Sequence, residues 1–178
     1  MQHRCKVTVI RKELYKDLQE EYLADKEAGE CPFYNVGDEF IFDRYDDKDD
    51  FWTMGRGSQC SEAWDCISRY IYTALQGGAI MRGWSKNDKI MIACCNDGTR
   101  PVVFKIERID YYAVYIDGID NKNADKIQNA IKAIYNVTET KYVEDKEYIE
   151  VVVSEEVPEH IFERAIKNAG EFTINHID

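Results

Sequence analysis

The chain has 178 residues and a mass of 20.8 kDa, with 44% hydrophobic and 32% charged residues, a globular composition long enough for one or two cores. Acidic side chains number 34 against 23 basic, a net charge of −11 and a pI near 4.8, which repels phosphate backbones and anionic lipid and argues against nucleic-acid or membrane-surface binding. No apolar run approaches the ~20 residues that span a bilayer, and the opening MQHRCKVTVIRKELYKDL carries no apolar signal region, so a cytoplasmic location is expected.

In chain order, residues 5–12 alternate as a strand with Cys5, Val7 and Val9 on one face. Leu14, Leu18 and Tyr22 recur at i, i+4, i+8 and predict a short helix. A strand over 39–42 follows the turn Val36-Gly37-Asp38. Asp43, Asp46, Asp47, Asp49 and Asp50 form an acidic run that lacks the glycine and final glutamate of a calcium-binding loop, and it reads as a mobile surface loop. Trp64, Ile67, Ile71, Ala74 and Leu75 share one face of a helix over 61–75, stopped by Gly77-Gly78. Strands over 89–95 and 102–109 flank Asn96-Asp97-Gly98-Thr99-Arg100-Pro101, a strong hairpin signal. This order predicts an α+β unit with a small, mainly antiparallel sheet.

Charge shifts near Asp110: residues 1–110 have net charge −4 and residues 111–178 net charge −7. The expected domains are therefore 1–110 and 111–178, docked closely or sharing a strand, since no Pro/Gly/Ser linker separates them. In the second part a strand over 111–116 leads to Ala124, Ile127, Ala130, Ile131 and Ile134 at helical spacing, with Asn123 as N-cap and Asn136 ending the helix in the left-handed conformation. Strands over 137–143 and 148–153 surround Glu144-Asp145-Lys146. Pro158 opens a helix striped by Ile161, Phe162, Ala165, Ile166 and Ala169, and a strand over 172–177 closes the chain. The order βαββαβ predicts a ferredoxin-like sandwich.

All six cysteines, Cys5, Cys31, Cys60, Cys66, Cys94 and Cys95, precede residue 100. In a reducing compartment they are buried apolar thiols, metal ligands or redox thiols. Adjacent strand residues face opposite ways, so Cys94 and Cys95 do not both reach one ion in regular geometry. Ile90 and Ile92 share the Cys94 face and Met91 and Ala93 the Cys95 face, so both thiols are expected to be buried. The functional alternative has one of them facing a pocket near Arg100, whose charge favours a thiolate. Cys60 precedes a helix, where the dipole and free amides favour a thiolate. Cys5, Cys31, Cys60 and Cys95 are the candidate metal ligands for zinc or another thiophilic ion, although no C-x-x-C spacing is present. Asp97 and Arg100 are candidates for anion binding, against the plainer reading of an aspartate bonding its own turn. Trp64, with Trp52 and Trp84, is a candidate pocket wall or a core residue. None of His3, His160 and His176 lies near a cysteine in sequence, and no P-loop, G-x-G-x-x-G, H-E-x-x-H or G-x-S-x-G occurs.

The stretches C-P-F-Y-N-V-G-D-E-F from Cys31, C-S-E-A-W-D from Cys60 and C-C-N-D-G-T-R-P-V-V-F from Cys94 resemble, over residues 4–109, a family of short, uncharacterised, cysteine-rich prokaryotic proteins with C-P-x-F-x-x-G-x-E-F, F-C-x-x-A-W and C-C-x-D-G-x-R-P-V-x-F. Cys66 falls outside that pattern, and the stretch 43–57 is longer than the family loop. Residues 111–178 resemble a heavy-metal-associated domain, whose G-M-x-C-x-x-C turn clamps a soft ion. Here the turn reads Gly118-Ile119-Asp120-Asn121-Lys122-Asn123-Ala124, with Asn121 and Ala124 at the cysteine positions, so no metal ligand is expected in 111–178. The function expected is a thiol-, metal- or small-ligand-binding module fused to a docking module that meets a protein partner or a second copy in a homodimer. The alternatives are a redox enzyme using Cys31, Cys60 or Cys95 and an ACT-like regulatory protein binding a small effector.

Overall fold

The computed structural model describes residues 1–44 and 49–178, so Asp46 and Asp47 of the acidic run lie outside the described residues. Helices combine with a mostly antiparallel seven-stranded sheet, an α+β architecture. Contacts divide the chain into two compact units: His3–Arg108, and Ile109–Asp178 together with Met1–Gln2.

In the N-terminal unit, β1 (Gln2–Lys12), β2 (Glu39–Phe42), β3 (Ile90–Cys94) and the first half of β4 (Val102–Ile116) lie in the order β2-β1-β4-β3. Cys5 stands opposite Phe42, and Val7 opposite Phe40; Met91 stands opposite Ile106, and Ala93 opposite Phe104. The period-two alternation of β1 turns Cys5, Val7 and Val9 into the core, all at 1% exposure or less. The helix α3 (Ser61–Leu75) presents Ala63, Ile67, Ile71 and Ala74 to the same cluster, each fully buried. Burying each isoleucine contributes about 1.5–3 kcal/mol. Past the helix, Gly77 adopts a φ of +73°, and the Arg108 guanidinium donates to the Gly77 and Gly78 carbonyls at 2.5 and 2.7 Å. A cation therefore sits where the helix dipole is negative.

Two features depart from the sequence pattern. In α1 (Lys16–Tyr22) the residue turned inward is Gln19, while Tyr22 of the apparent stripe is 70% exposed. The Gln19 amide donates to Gly29 O at 3.0 Å and accepts from Gly29 N at 3.1 Å, so a polar side chain fills the interior position by completing a backbone's hydrogen bonds. The second is α2 (Met54–Gly57), a left-handed turn whose four residues all have positive φ. A non-glycine residue in that region costs about 1–2 kcal/mol. Met54 and Arg56 are held there by Asp50, which is 5% exposed: its carboxylate meets the Arg56 guanidinium at 2.8 Å and its carbonyl accepts from Gly55 N at 2.8 Å.

The strands expected over 102–109 and 111–116 run on as one strand, β4, of 15 residues. Its second half, with β5 (Val137–Val143), β6 (Tyr148–Val153) and β7 (Ile174–Ile177), forms the order β7-β4-β6-β5 in the C-terminal unit. The helices α4 (Ala124–Lys132) and α5 (Glu159–Ala169) complete the chain order β-α-β-β-α-β. Ile127, Ile131, Phe162 and Ile166 meet Val114, Ile149 and Val151 in one buried cluster. Asn136 has the expected left-handed φ of +74°, but α4 ends before it, at Lys132 with Ala133 as its C-cap, and Pro158 stands one residue before α5. Asn123 makes no capping bond to α4; its side chain accepts from Asp120 N at 2.9 Å and donates to Gly118 O at 2.9 Å, closing the turn before the helix.

Candidate functional site

The thiols of the N-terminal unit fall into three environments. Cys5 is fully buried on β1. Burial pushes its pKa far above the usual thiol range, and the Glu107 N–H offsets this only in part, so Cys5 stays a neutral packing group. Among the described residues, no three His, Cys, Asp or Glu side chains are arranged to hold a metal ion, so Cys5, Cys31, Cys60 and Cys95 do not form the expected four-thiol set.

Cys60 occupies the N-cap of α3, and its sulfur accepts the Ala63 N–H at 3.4 Å. The residue is partly exposed, and its backbone is fixed from the other side: Cys60 N–H donates to the Tyr34 hydroxyl at 3.0 Å, and that hydroxyl donates to Gln59 Oε1 at 3.1 Å. Tyr34 is 1% exposed, its ring edge-on to Phe104 at 5.2 Å and to Phe40 at 5.9 Å. Burial pushes the Tyr34 pKa well up, against the pull of the Cys60 N–H, so the hydroxyl remains protonated; the Cys60 and Cys31 sulfurs add to the rise as near neighbours. Cys31, three residues before Tyr34 and partly exposed, therefore belongs to the same locality as Cys60. Tyr34 and Gln59, the residues that set this geometry, carry no sequence signal beyond lying beside Cys31 and Cys60.

The remaining thiols gather elsewhere. The sulfur of Cys66, on α3, lies 2.7 Å from the Asn96 Oδ1, while Asn96 Nδ2 donates to Asp65 Oδ2 at 2.9 Å. Cys94 and Cys95 immediately precede Asn96. Both were expected to be buried; Cys94 is exposed, because the outer face of β3 is open to solvent, as the 49% exposure of Ile92 also shows. Cys95 is partly buried against the core and accepts the Val102 N–H at 3.3 Å.

Asp97 and Arg100 are engaged with their own turn. The Asp97 carboxylate accepts from Thr99 N at 2.9 Å, Thr99 Oγ1 at 3.0 Å, Arg100 N at 3.2 Å and Arg100 Nε at 3.0 Å. Burial opposes its charge, but these hydrogen bonds outweigh burial and hold its pKa below the usual value. Arg100 also donates to Ala28 O at 3.4 Å, Tyr15 N donates to Thr99 O at 2.8 Å, and Gln19 donates to Thr99 Oγ1 at 3.4 Å. The hairpin is a clasp on Tyr15, Gln19 and Ala28, and its guanidinium is committed to that clasp. Trp64 packs on the core, stacked on Phe42 at 5.8 Å and tilted against Phe51 at 5.2 Å. Trp52 and Trp84 are each 71% exposed. A cleft of about 440 Å³ in this unit is lined by Glu39, Asp43, Asp50, Arg56 and Ser58 rather than by thiols.

In the C-terminal unit the turn before α4 is closed by its own polar side chains. Asp120 Oδ1 accepts from Lys122 N at 2.9 Å and Asn123 N at 3.1 Å, Asn121 donates to Glu144, and Ala124 is buried in the core. An amide already paired and a buried methyl group supply no soft ligand. No family model, curated protein or solved structure matches the chain at a significant level.

Proposed function

We propose that the N-terminal unit is a thiol module in which Cys60 is the reacting or ligand-binding sulfur and Cys31 its neighbour. The observation that carries this reading is the seat of Cys60: a partly exposed sulfur at the N-terminus of a 15-residue helix, within hydrogen-bond distance of the Ala63 N–H and fixed by buried Tyr34. Oriented amides and the helix dipole stabilise a sulfur that carries negative charge, the form that attacks electrophiles. The C-terminal unit, on this proposal, is a ferredoxin-like module of heavy-metal-associated type whose cysteine positions hold Asn121 and Ala124, and it serves association in the cytoplasm. Its edge strands β5 and β7 offer pairing edges for a homodimer.

The test is native alkylation with iodoacetamide, mapped by mass spectrometry. Cys60 is expected to be modified first at neutral pH and Cys60→Ser to remove the fast phase, with helix content retained because serine is itself a good N-cap. A Cys60 that reacts no faster than it does in the denatured chain overturns the proposal. An ACT-like reading has one observation in its favour, a polar cleft of about 320 Å³ bordered by Asp117, Lys146, Asn175 and His176. Calorimetric titration with a panel of free amino acids distinguishes it.

A further inference from the structure

We infer that Cys66, Cys94 and Cys95 form a modification site at which a low-molecular-weight disulfide is reduced, leaving an internal disulfide between Cys66 and one member of the vicinal pair. The site is separate from Cys60 and does not depend on the reading given to that residue.

The geometry starts from Asn96. Its amide nitrogen is committed to the Asp65 carboxylate, which accepts and does not donate, and this turns the amide oxygen toward Cys66. At 2.7 Å the Cys66 thiol is then the donor, and its sulfur is pinned against the residue that directly follows Cys94-Cys95. The backbone repeats the contact, since Asn96 N lies 3.4 Å from Glu62 O on the same helix. Three thiols, from α3, the end of β3 and the residue after it, thus share one locality beside solvent, and Cys94 and Cys95 both act electrostatically on Cys66.

The three are not equivalent. Burial first, then the Asp65 carboxylate and the Cys94 and Cys95 sulfurs, raise the Cys66 pKa, with Arg69 pulling partly the other way. Cys95 is tied to Val102 N and the core. Exposed Cys94 is therefore the attacking thiol, and Cys66 the resolving one. With glutathione disulfide, the Cys94 thiolate bonds to one reagent sulfur, the reagent S–S bond breaks, and the first glutathione leaves as thiolate and takes up the proton Cys94 gave to water. Cys66 then loses its S–H proton and bonds to the Cys94 sulfur, expelling the second glutathione, which is protonated in turn. Two protein thiols are oxidised and one reagent disulfide is reduced to two thiols. If Cys95 exchanges in afterwards, the bond to Cys66 migrates along the vicinal pair with no further electron change.

The experiment treats the full chain with glutathione disulfide at neutral pH, quenches with acid, and maps linkages by mass spectrometry. The expected product carries a Cys66–Cys94 or Cys66–Cys95 linkage, with two hydrogens lost from these thiols, reversed by dithiothreitol. Cys66→Ser is expected to abolish that linkage and to trap the mixed disulfide on Cys94, while Cys60→Ser, which removes only an adduct at its own position, leaves the Cys66 linkage in place. A wild-type protein in which Cys66 stays reduced, whether the end product is a mixed disulfide or a Cys94–Cys95 bond, overturns the inference without recourse to any variant.

Discussion

Replacing Tyr34 with phenylalanine isolates one buried hydroxyl. The ring keeps its place, since the edge contacts to Phe33 at 4.7 Å, Phe104 at 5.2 Å and Phe40 at 5.9 Å involve only carbon. Two hydrogen bonds disappear, from Cys60 N at 3.0 Å and to Gln59 Oε1 at 3.1 Å. Gln59 is 5% exposed, so water does not readily replace the lost donor. Each such bond is worth about 0.5–1.5 kcal/mol net, and a buried group left without a partner costs about 1–3 kcal/mol, so Tyr34→Phe is expected to destabilise the unit by about 2–4 kcal/mol. With a urea m-value of about 2 kcal/mol/M, the midpoint falls by roughly 1–2 M at unchanged slope. All three tryptophans, Trp52, Trp64 and Trp84, belong to the N-terminal unit, so tryptophan fluorescence reads the transition of the unit that contains the mutation. Cys60 alkylation is expected to slow in parallel, because the N-cap that holds its sulfur against the Ala63 N–H loses its second anchor. A loss below about 0.5 kcal/mol would refute the view that the Tyr34 hydroxyl organises this site.

Other perturbations follow from the same geometry. Asp97 has a pKa held below the usual carboxylate value, so it contributes stability that is fully present above that value and lost as pH falls below it; Asp97→Asn is expected to lower stability at neutral pH and to flatten the acid limb of the pH–stability curve. An unchanged acid limb in urea titrations between pH 2 and 5, a window chosen around the usual carboxylate range, counts against the clasp. Cys5 is expected to be the last thiol to react with iodoacetamide, at the rate of unfolding of its unit, since burial keeps it both neutral and inaccessible; modification of Cys5 ahead of Cys60 contradicts the core assignment. Gly77→Ala combines a φ of +73° with a methyl group driven into the His3 ring, whereas Gly83→Ala has a φ of +75° and open space around it. Each pays about 1 kcal/mol for the backbone, and thermal melts are expected to show Gly77→Ala as clearly the more damaging.

Short-range periodicity carried a large part of this fold. The alternation of Cys5, Val7 and Val9, the stripe of Ile67, Ile71 and Ala74, and the strand–helix order after residue 110 are each written within a few contiguous residues, and each is buried as its spacing requires. The stripe Leu14-Leu18-Tyr22 located the short helix α1 but not its buried residue, because that choice is not local: Gln19 turns inward to meet Gly29 and Thr99, partners 10 and 80 residues away. The left-handed turn Met54–Gly57 was equally hidden, since Met54 and Arg56 have no preference for positive φ and are held there by Asp50. At the thiols, the sequence supplied the candidates without their grouping. Tyr34 anchors Cys60 across 26 residues and Asn96 meets Cys66 across 30, and neither contact leaves a spacing to read.

The amino-acid order by itself determined where most strands and helices form and, outside α1 and β3, which faces they bury, because backbone sterics and the hydrophobic effect act on each short segment through its own period. Which sulfurs face solvent, which sit at a helix terminus and which stay neutral was decided by tertiary packing. A thiol's reactivity depends on burial and on dipoles supplied by residues far away in sequence, and only the folded chain brings these together.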